Sequence, residues 1–397
     1  MSETGGLERF DRRPPPFIYD LVPQGQGRKF LLGKLGLTDS ESMVMPLVMA
    51  GAFNPIGNLR LRSALEFYEE QVMLNPSENA LGGLTLEDIC SRSHPFTEHI
   101  SLHSMLAAGT TGVQGVAPKF LLAKDADGLW HADLSLADDK ALSHWLVKLP
   151  RGGAAADQSV LRNEAAYLRL AGLCGLRASR ASLLAENMLF AERFDRRVAV
   201  HDGDIHLTRL PQESLGSVAG LRGFAPAASQ NDLLHALRAV ATDREGETLE
   251  FLKRDVLNLA MRNTDNHARN TAVQRLPDGS IQLTPVYDFA PMFLDPEVIA
   301  RSLHWRDHAG VRLNHWSRVV ASLGLPAREQ ACVVEELGQF AQTVSELPRL
   351  AAQAGVEPEV IAACSPAILE QARQLSDIVA LEADGRRPPP AVRTKRG

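Results

Sequence analysis

RNTDNHARNTAV, Arg262 to Val273, holds one Asp, three Asn, one His and two Arg in twelve residues. It follows TLEFLKRDVLNLAM, where Leu249, Leu252, Val256 and Leu259 recur at helical spacing. The polar crowd therefore sits at the C-terminal end of a helix. Asn and Asp favour turns and caps, so a plain helix end can gather such side chains. A loop that performs chemistry gathers them because each has a separate task. The surroundings decide between the two readings.

Asp265 and Asn270 are five apart, with His267 between them. Asp-x-x-x-x-Asn is the spacing of protein-kinase catalytic loops, where the Asp engages the attacking hydroxyl and the Asn holds magnesium. Eighteen residues after Asn270, the strand-like run IQLTPVYD ends in Asp288, and Asp288-Phe289-Ala290 is close to Asp-Phe-Gly. Magnesium takes oxygen ligands, typically one or two carboxylates with phosphates and water. Asn270 and Asp288 would supply that set. Upstream, HWLVKLP puts Lys148 at the end of an apolar strand, and Glu164 opens the helical run NEAAYLRLAGLCGL. A strand Lys paired with a helix Glu is a device for holding nucleotide phosphates. Before them, AAGTTGVQGVAPKFLLA places Gly109, Gly112 and Gly115 ahead of a strand, with Lys119 at its start. Such a loop lets backbone N–H groups approach phosphate oxygens, although it is neither a Walker A sequence nor a clean G-x-G-x-x-G. His267 reads as a packing and orienting residue. Arg262 and Arg269 read as solvent or phosphate contacts.

The 397 residues suffice for two or three domains. A net charge of -6 excludes a wholly basic nucleic-acid binder. No apolar run reaches the roughly 20 residues that cross a bilayer. The N-terminus lacks an apolar signal core, so a cytoplasmic location without membrane contact is expected. Cys90, Cys174, Cys332 and Cys364 lie far apart and are expected to be buried thiols rather than a zinc site or disulfides. The expected fold class is α+β, a kinase-like bilobal arrangement. Residues 1–95 would form a small α/β N-terminal subdomain and 96–212 a sheet-rich nucleotide-binding lobe with one helix. Residues 213–382 would form an all-helical catalytic lobe, and 383–397 a disordered basic tail. KDADG and HDGD mark hairpin turns within the sheet-rich part.

Taken in order, VQGVAPKFLL, HWLVKLP, NEAAYLRLAGLCGL, AERFDRR, TRLPQESLG, RNTDNHARN and LTPVYDFAP make the chain resemble the HipA family, serine/threonine-kinase toxins of bacterial toxin–antitoxin pairs. The likeness covers roughly residues 100–300, and more faintly FIYDLVPQGQGRKFLLGKLG and GAFNPIGNLRL before them. It implies an ATP- and Mg2+-dependent kinase that arrests growth, with an aminoacyl-tRNA synthetase as the family's kind of target. Asp265 then looks like the catalytic base, Asn270 and Asp288 like the magnesium ligands, and Lys148, with Glu164 as its ion-pair partner, like the phosphate-contacting lysine. The segment from Val113 through Gly115 to Lys119 looks like the phosphate loop, and Glu192 and Phe194 like the adenine contact. Implied partners are a helix-turn-helix antitoxin, a protein substrate with a Ser or Thr hydroxyl, and DNA only through the antitoxin.

Two departures stand out. The family's regulatory Ser falls on Gly112 here, with Thr110 and Thr111 nearby, and Ala117 replaces the usual polar residue of the loop. The N-terminal subdomain is shortened, so either a separate small protein completes it or it is trimmed. A small-molecule phosphotransferase and a nucleotide-binding pseudokinase remain alternative readings of the same residues.

Overall fold

The computed structural model describes residues 14–74, 82–92, 119–223, 228–297 and 299–383. The N-terminal part is helical: α1 (Ile18–Leu21), α2 (Gly25–Leu35), α3 (Val44–Gly51), α4 (Arg62–Leu74) and α5 (Leu86–Cys90). Helix α2 stops at Gly36, which takes the left-handed conformation (φ 64°) and turns its N–H back onto the carbonyls of Leu32 and Gly33. The α/β character expected here comes down, among the described residues, to one bridge from Leu84 to Trp130. Leu31, Leu47, Val48, Phe53 and Tyr68 form the unit's core, and Leu121 of the neighbouring sheet closes it. The helices therefore pack directly on that sheet.

The sheet has five antiparallel strands in the order β2-β1-β3-β5-β4. They are β1 (Lys119–Lys124), β2 (Trp130–Ala132), β3 (Ser143–Lys148), β4 (Ser182–Ala185) and β5 (Met188–Glu192). The expected turn in KDADG joins β1 to β2, with Gly128 at φ 84°. Helix α6 (Ala155–Leu173) follows β3 and packs against β4 and β5 through Leu161, Ala165 and Leu189. The HDGD turn joins β6 (Arg196–His201) to β7 (Asp204–Arg209) with Asp202 and Gly203 both at positive φ, as a tight two-residue hairpin requires.

The C-terminal part is mostly helical: α7 (Leu215–Val218), α8 (Gln230–Val240), α9 (Arg244–Ala260), α10 (Trp316–Ser322), α11 (Ala327–Ser345), α12 (Leu347–Ala354) and α13 (Pro358–Ala383). It is not all helical. Strands β8 (Gln212–Ser214), β9 (Ala272–Arg275) and β10 (Ile281–Leu283) form a three-stranded sheet, and β11 (Trp305–Arg306) pairs with β12 (Arg312–Leu313). These strands are too short to show alternation in a sequence window, and β8 lies about sixty residues before its partner. The core of this part gathers Leu252, Val256, Trp316, Leu337, Val344 and Leu375. Cys174 and Cys364 are buried as expected, whereas Cys90 is half-buried and Cys332 exposed. Among the described residues no helix is long and apolar enough to cross a membrane.

Helix α8 begins with a capping box in which Ser229 Oγ accepts from Asp232 N and the Asp232 carboxylate accepts from Ser229 N. Ser229→Ala is expected to cost about 0.5–2 kcal/mol, read as a lower urea midpoint.

Candidate functional site

The register of the main sheet sets the site. Lys119, the first residue of β1, stands directly opposite Lys148, the last residue of β3. Like charges in that position repel, so the pair needs carboxylates nearby. Two are supplied. The Lys148 ammonium pairs with Glu164 Oε1 at 2.5 Å and with Asp288 Oδ1, joining β3, α6 and the segment after β10. All three side chains are nearly buried. Burial would lower Lys148, but Asp288 and Glu164 hold its pKa above the ordinary lysine value. Burial would raise Asp288, but Lys148 and Lys119 hold it below the usual carboxylate value. Glu164 moves the other way: burial raises it, Lys148 opposes, and the charge of Asp288 adds to the rise. One ammonium is shared by two carboxylates, and Asp288 is the one that stays firmly ionised.

Lys119 is lowered to about 8, mainly by burial. No hydrogen-bond partner for its ammonium lies among the described residues, so the charge is available to an anion.

Asp288 occupies the left-handed region (φ 50°), a conformation that Asp tolerates better than most residues. Its backbone carbonyl accepts from Asn263 Nδ2 at 3.4 Å. The loop from Arg262 to Val273 lies next to it. Asn270 Nδ2 donates to the Asp265 carbonyl at 2.6 Å, which ties the ends of the Asp-x-x-x-x-Asn segment together. Among the described residues, Asn270 Oδ1 and Asp288 Oδ2 are both buried and have no hydrogen-bond partner. Buried polar oxygens are rarely left bare. Two hard oxygens of this kind, with phosphate and water to complete the shell, suit magnesium. The half-buried Asp265 is raised to about 7, mostly by burial and then by the charge of Asp288. His267 is lowered to about 4 by burial, so it is neutral near pH 7. Its Nδ1 accepts from the Arg269 backbone N–H at 3.2 Å, an orienting role.

Two cavities meet at this cluster. One, about 930 Å³ and partly open to solvent, is walled by Leu146, Leu168, Ala191, Val286 and Tyr287. Glu192 and Phe194, the residues expected to meet adenine, line it too. The second, about 950 Å³, exposes Lys119, Arg151, Asp265 and Asp295. Lys148, Glu164 and Asp288 line both. The cleft that Glu192 and Phe194 line thus meets, across Lys148, Glu164 and Asp288, a second cavity that mixes apolar walls with charged side chains and holds Asp265.

The structure brings together Lys119, Lys148, Glu164, Asp265, Asn270 and Asp288. Val113, Gly115, Thr110, Thr111, Gly112 and Ala117 lie outside the described residues, as does the tail from 384. Arg269 is corrected: its side chain is only 2% exposed and pairs with Asp20, so it is no solvent contact. Arg262 is exposed but sits over the Phe293 ring at 4.1 Å and donates to the Ala363 carbonyl. Sequence reasoning missed Asp20, Ile56, Gln212 and Ser214, which also line the apolar cleft. A lone Asp in IYDLVPQ carries no spacing signal toward a loop 249 residues away.

The family model described as the HipA-like C-terminal domain matches residues 111–345. Among solved structures, the chain is similar to one in the Shewanella oneidensis MR-1 toxin–antitoxin complex of HipA, HipB and operator DNA. That match has 17% identity and a TM-score of 0.59, covering 91% of this chain and 86% of that one. The Helicobacter pylori proinflammatory kinase CtkA also matches, at 12% identity and a TM-score of 0.36, covering 61% of this chain and 91% of that one. No curated protein matches.

Proposed function

Since the chain belongs to the HipA-like C-terminal domain family, we propose that it is an ATP- and magnesium-dependent protein serine/threonine kinase acting as the growth-arresting toxin of a toxin–antitoxin pair. The observation that carries this reading is the Lys148–Glu164–Asp288 cluster at the junction of an apolar cleft with a second cavity that exposes Asp265.

The apolar walls hold the base, with Glu192 and Phe194 at its edge. Lys148 and Lys119 bind the phosphates. Asn270 Oδ1 and Asp288 Oδ2 are the atoms that would hold magnesium, which neutralises charge on the β- and γ-phosphates. Asp265 accepts the proton of the attacking Ser or Thr hydroxyl. The hydroxyl oxygen bonds to the γ-phosphorus as the bond to the bridging oxygen breaks, and ADP leaves. Positioning and charge neutralisation supply most of the rate. The phosphoacceptor is proposed to belong to a translation component such as an aminoacyl-tRNA synthetase. The restraining partner is proposed to be a HipB-like helix-turn-helix antitoxin, through which the chain meets DNA.

The test is transfer of label from γ-labelled ATP to proteins of a cell lysate, with and without magnesium. Wild type is expected to label a discrete protein and to stop growth when expressed without antitoxin. Asp288→Asn, which removes one metal-facing carboxylate, is expected to do neither. Label in a small metabolite and none in protein would point instead to a small-molecule phosphotransferase. Equal labelling by both proteins would remove Asp288 from the reaction.

A further inference from the structure

The helical N-terminal part contributes Asp20 and Tyr19 to the catalytic loop, from outside the span matched by the family model. Asp20 of α1 accepts from Ser214 N at 2.9 Å and from Ser214 Oγ at 2.7 Å, and it forms an ion pair with Arg269. Arg269 sits next to Asn270 and four residues beyond Asp265. Its guanidinium also donates to Ser214 Oγ at 3.2 Å and lies over the Tyr19 ring at 5.8 Å. One terminal nitrogen donates to the Gly223 carbonyl at 2.7 Å. Its own carbonyl accepts from the Tyr287 hydroxyl at 2.7 Å, which links it to the residue before Asp288. Its backbone N–H bonds to His267. Asp20 is the one carboxylate paired with this buried guanidinium among the described residues.

We propose that Asp20 is a positioning residue for phosphoryl transfer: through Arg269 it fixes the loop that carries Asp265 and Asn270. The inference rests on the reading of that loop as catalytic. The physical argument is the cost of an unpaired buried charge. Without Asp20, Arg269 must draw in water or shift toward solvent, because a buried cation without its partner is strongly unfavourable. Asn270 is its chain neighbour and moves with it. A displacement of about 1 Å at reacting groups can cost on the order of 10²-fold in rate. The N-terminal helices are on this account a working part of the active site rather than an appended module.

The test uses the full chain and three variants: Asp20→Asn, Asp20→Ala and Asp20→Glu. Asp20→Asn is nearly isosteric and keeps oxygen toward Ser214 while removing the charge, so it is the variant least at risk of misfolding. In it, kcat at saturating ATP is expected to fall by about 10- to 100-fold. Amide exchange across residues 264–271 of the nucleotide-free protein is expected to quicken, with α9 and β3 unchanged. Asp20→Glu is expected to recover most of the rate. Adding Arg269→Met to Asp20→Asn is expected to cost little more, since the two act as a unit.

Undiminished kcat with unchanged loop exchange in Asp20→Asn and Asp20→Ala overturns the proposal. So does faster exchange throughout the chain, which marks a general structural role. If the wild-type chain transfers no phosphate, the catalytic reading falls separately, and loop exchange alone decides whether Asp20 fixes this segment.

Discussion

Asp265→Ala is expected to slow phosphoryl transfer by about 10²- to 10⁴-fold. ATP affinity should stay within about threefold. The asymmetry follows from where the side chain sits. Asp265 lines the second cavity and not the cleft proposed for the base, so it contributes nothing to holding the base. Burial and the neighbouring Asp288 raise it to about 7. A carboxylate in that range still ionises near neutral pH yet accepts a proton far more readily than an ordinary aspartate. Asp265→Asn separates chemistry from packing. It keeps the shape of the side chain and the backbone carbonyl that Asn270 grips, but it cannot take a proton. Single-turnover transfer and a nucleotide titration should therefore show the same loss for Asn as for Ala, with binding intact. A near wild-type rate in Asp265→Asn would exclude Asp265 as the base.

How much of this was legible beforehand depended on distance along the chain. Asp265 and Asn270 could be paired because their relation is local, five residues in one loop. Lys148, Glu164 and Asp288 could be assembled because each ends or begins a periodic segment, and their order matched a known device. Asp20 could not, because its partners Ser214 and Arg269 lie 194 and 249 residues away and only the packed fold brings them together. Arg269 was misread for a related reason. A charged residue in a polar loop looks solvated until its counter-ion is known. The strands of the C-terminal part escaped because two to four residues carry no alternation, even though the run before Asp288 already read as strand-like. Arg193, Asp195 and Arg196 of AERFDRR were visible as a motif, but nothing local showed that they are buried.

That burial makes Arg193→Met the most damaging substitution expected for stability, at about 3–5 kcal/mol. Arg193 is 1% exposed and holds two carboxylates. Its Nε and one terminal nitrogen grip Asp195 at 3.0 and 2.9 Å, and the other terminal nitrogen reaches Asp133 at 2.6 Å. His144 Nδ1 bonds to Asp133 at 2.5 Å, and Asn54 donates to the same carboxylate. Burial alone would raise Asp133, but Arg193, then His144 and Arg196, hold it far below the usual range. Removing the guanidinium strands a desolvated charge, so the loss exceeds what the ion pair contributes by itself. The pH dependence distinguishes this from lost packing. In wild type, the depressed pKa makes the Asp133 contribution complete above the unfolded value near about 4, and it declines as pH falls through the native value. In the variant, only His144 and Arg196 remain to oppose burial, so the native protein neutralises Asp133 at milder acidity than wild type does. The deficit in urea stability measured at pH 7 should therefore shrink as pH approaches about 4. A deficit that is constant with pH would mean that cavity formation, not stranded charge, is the cause. The same cluster anchors Pro55 and Gly57, in the loop between α3 and α4. Even a folded fraction of Arg193→Met should therefore bind ATP more weakly, with the wall of the apolar cleft loosened at Ile56.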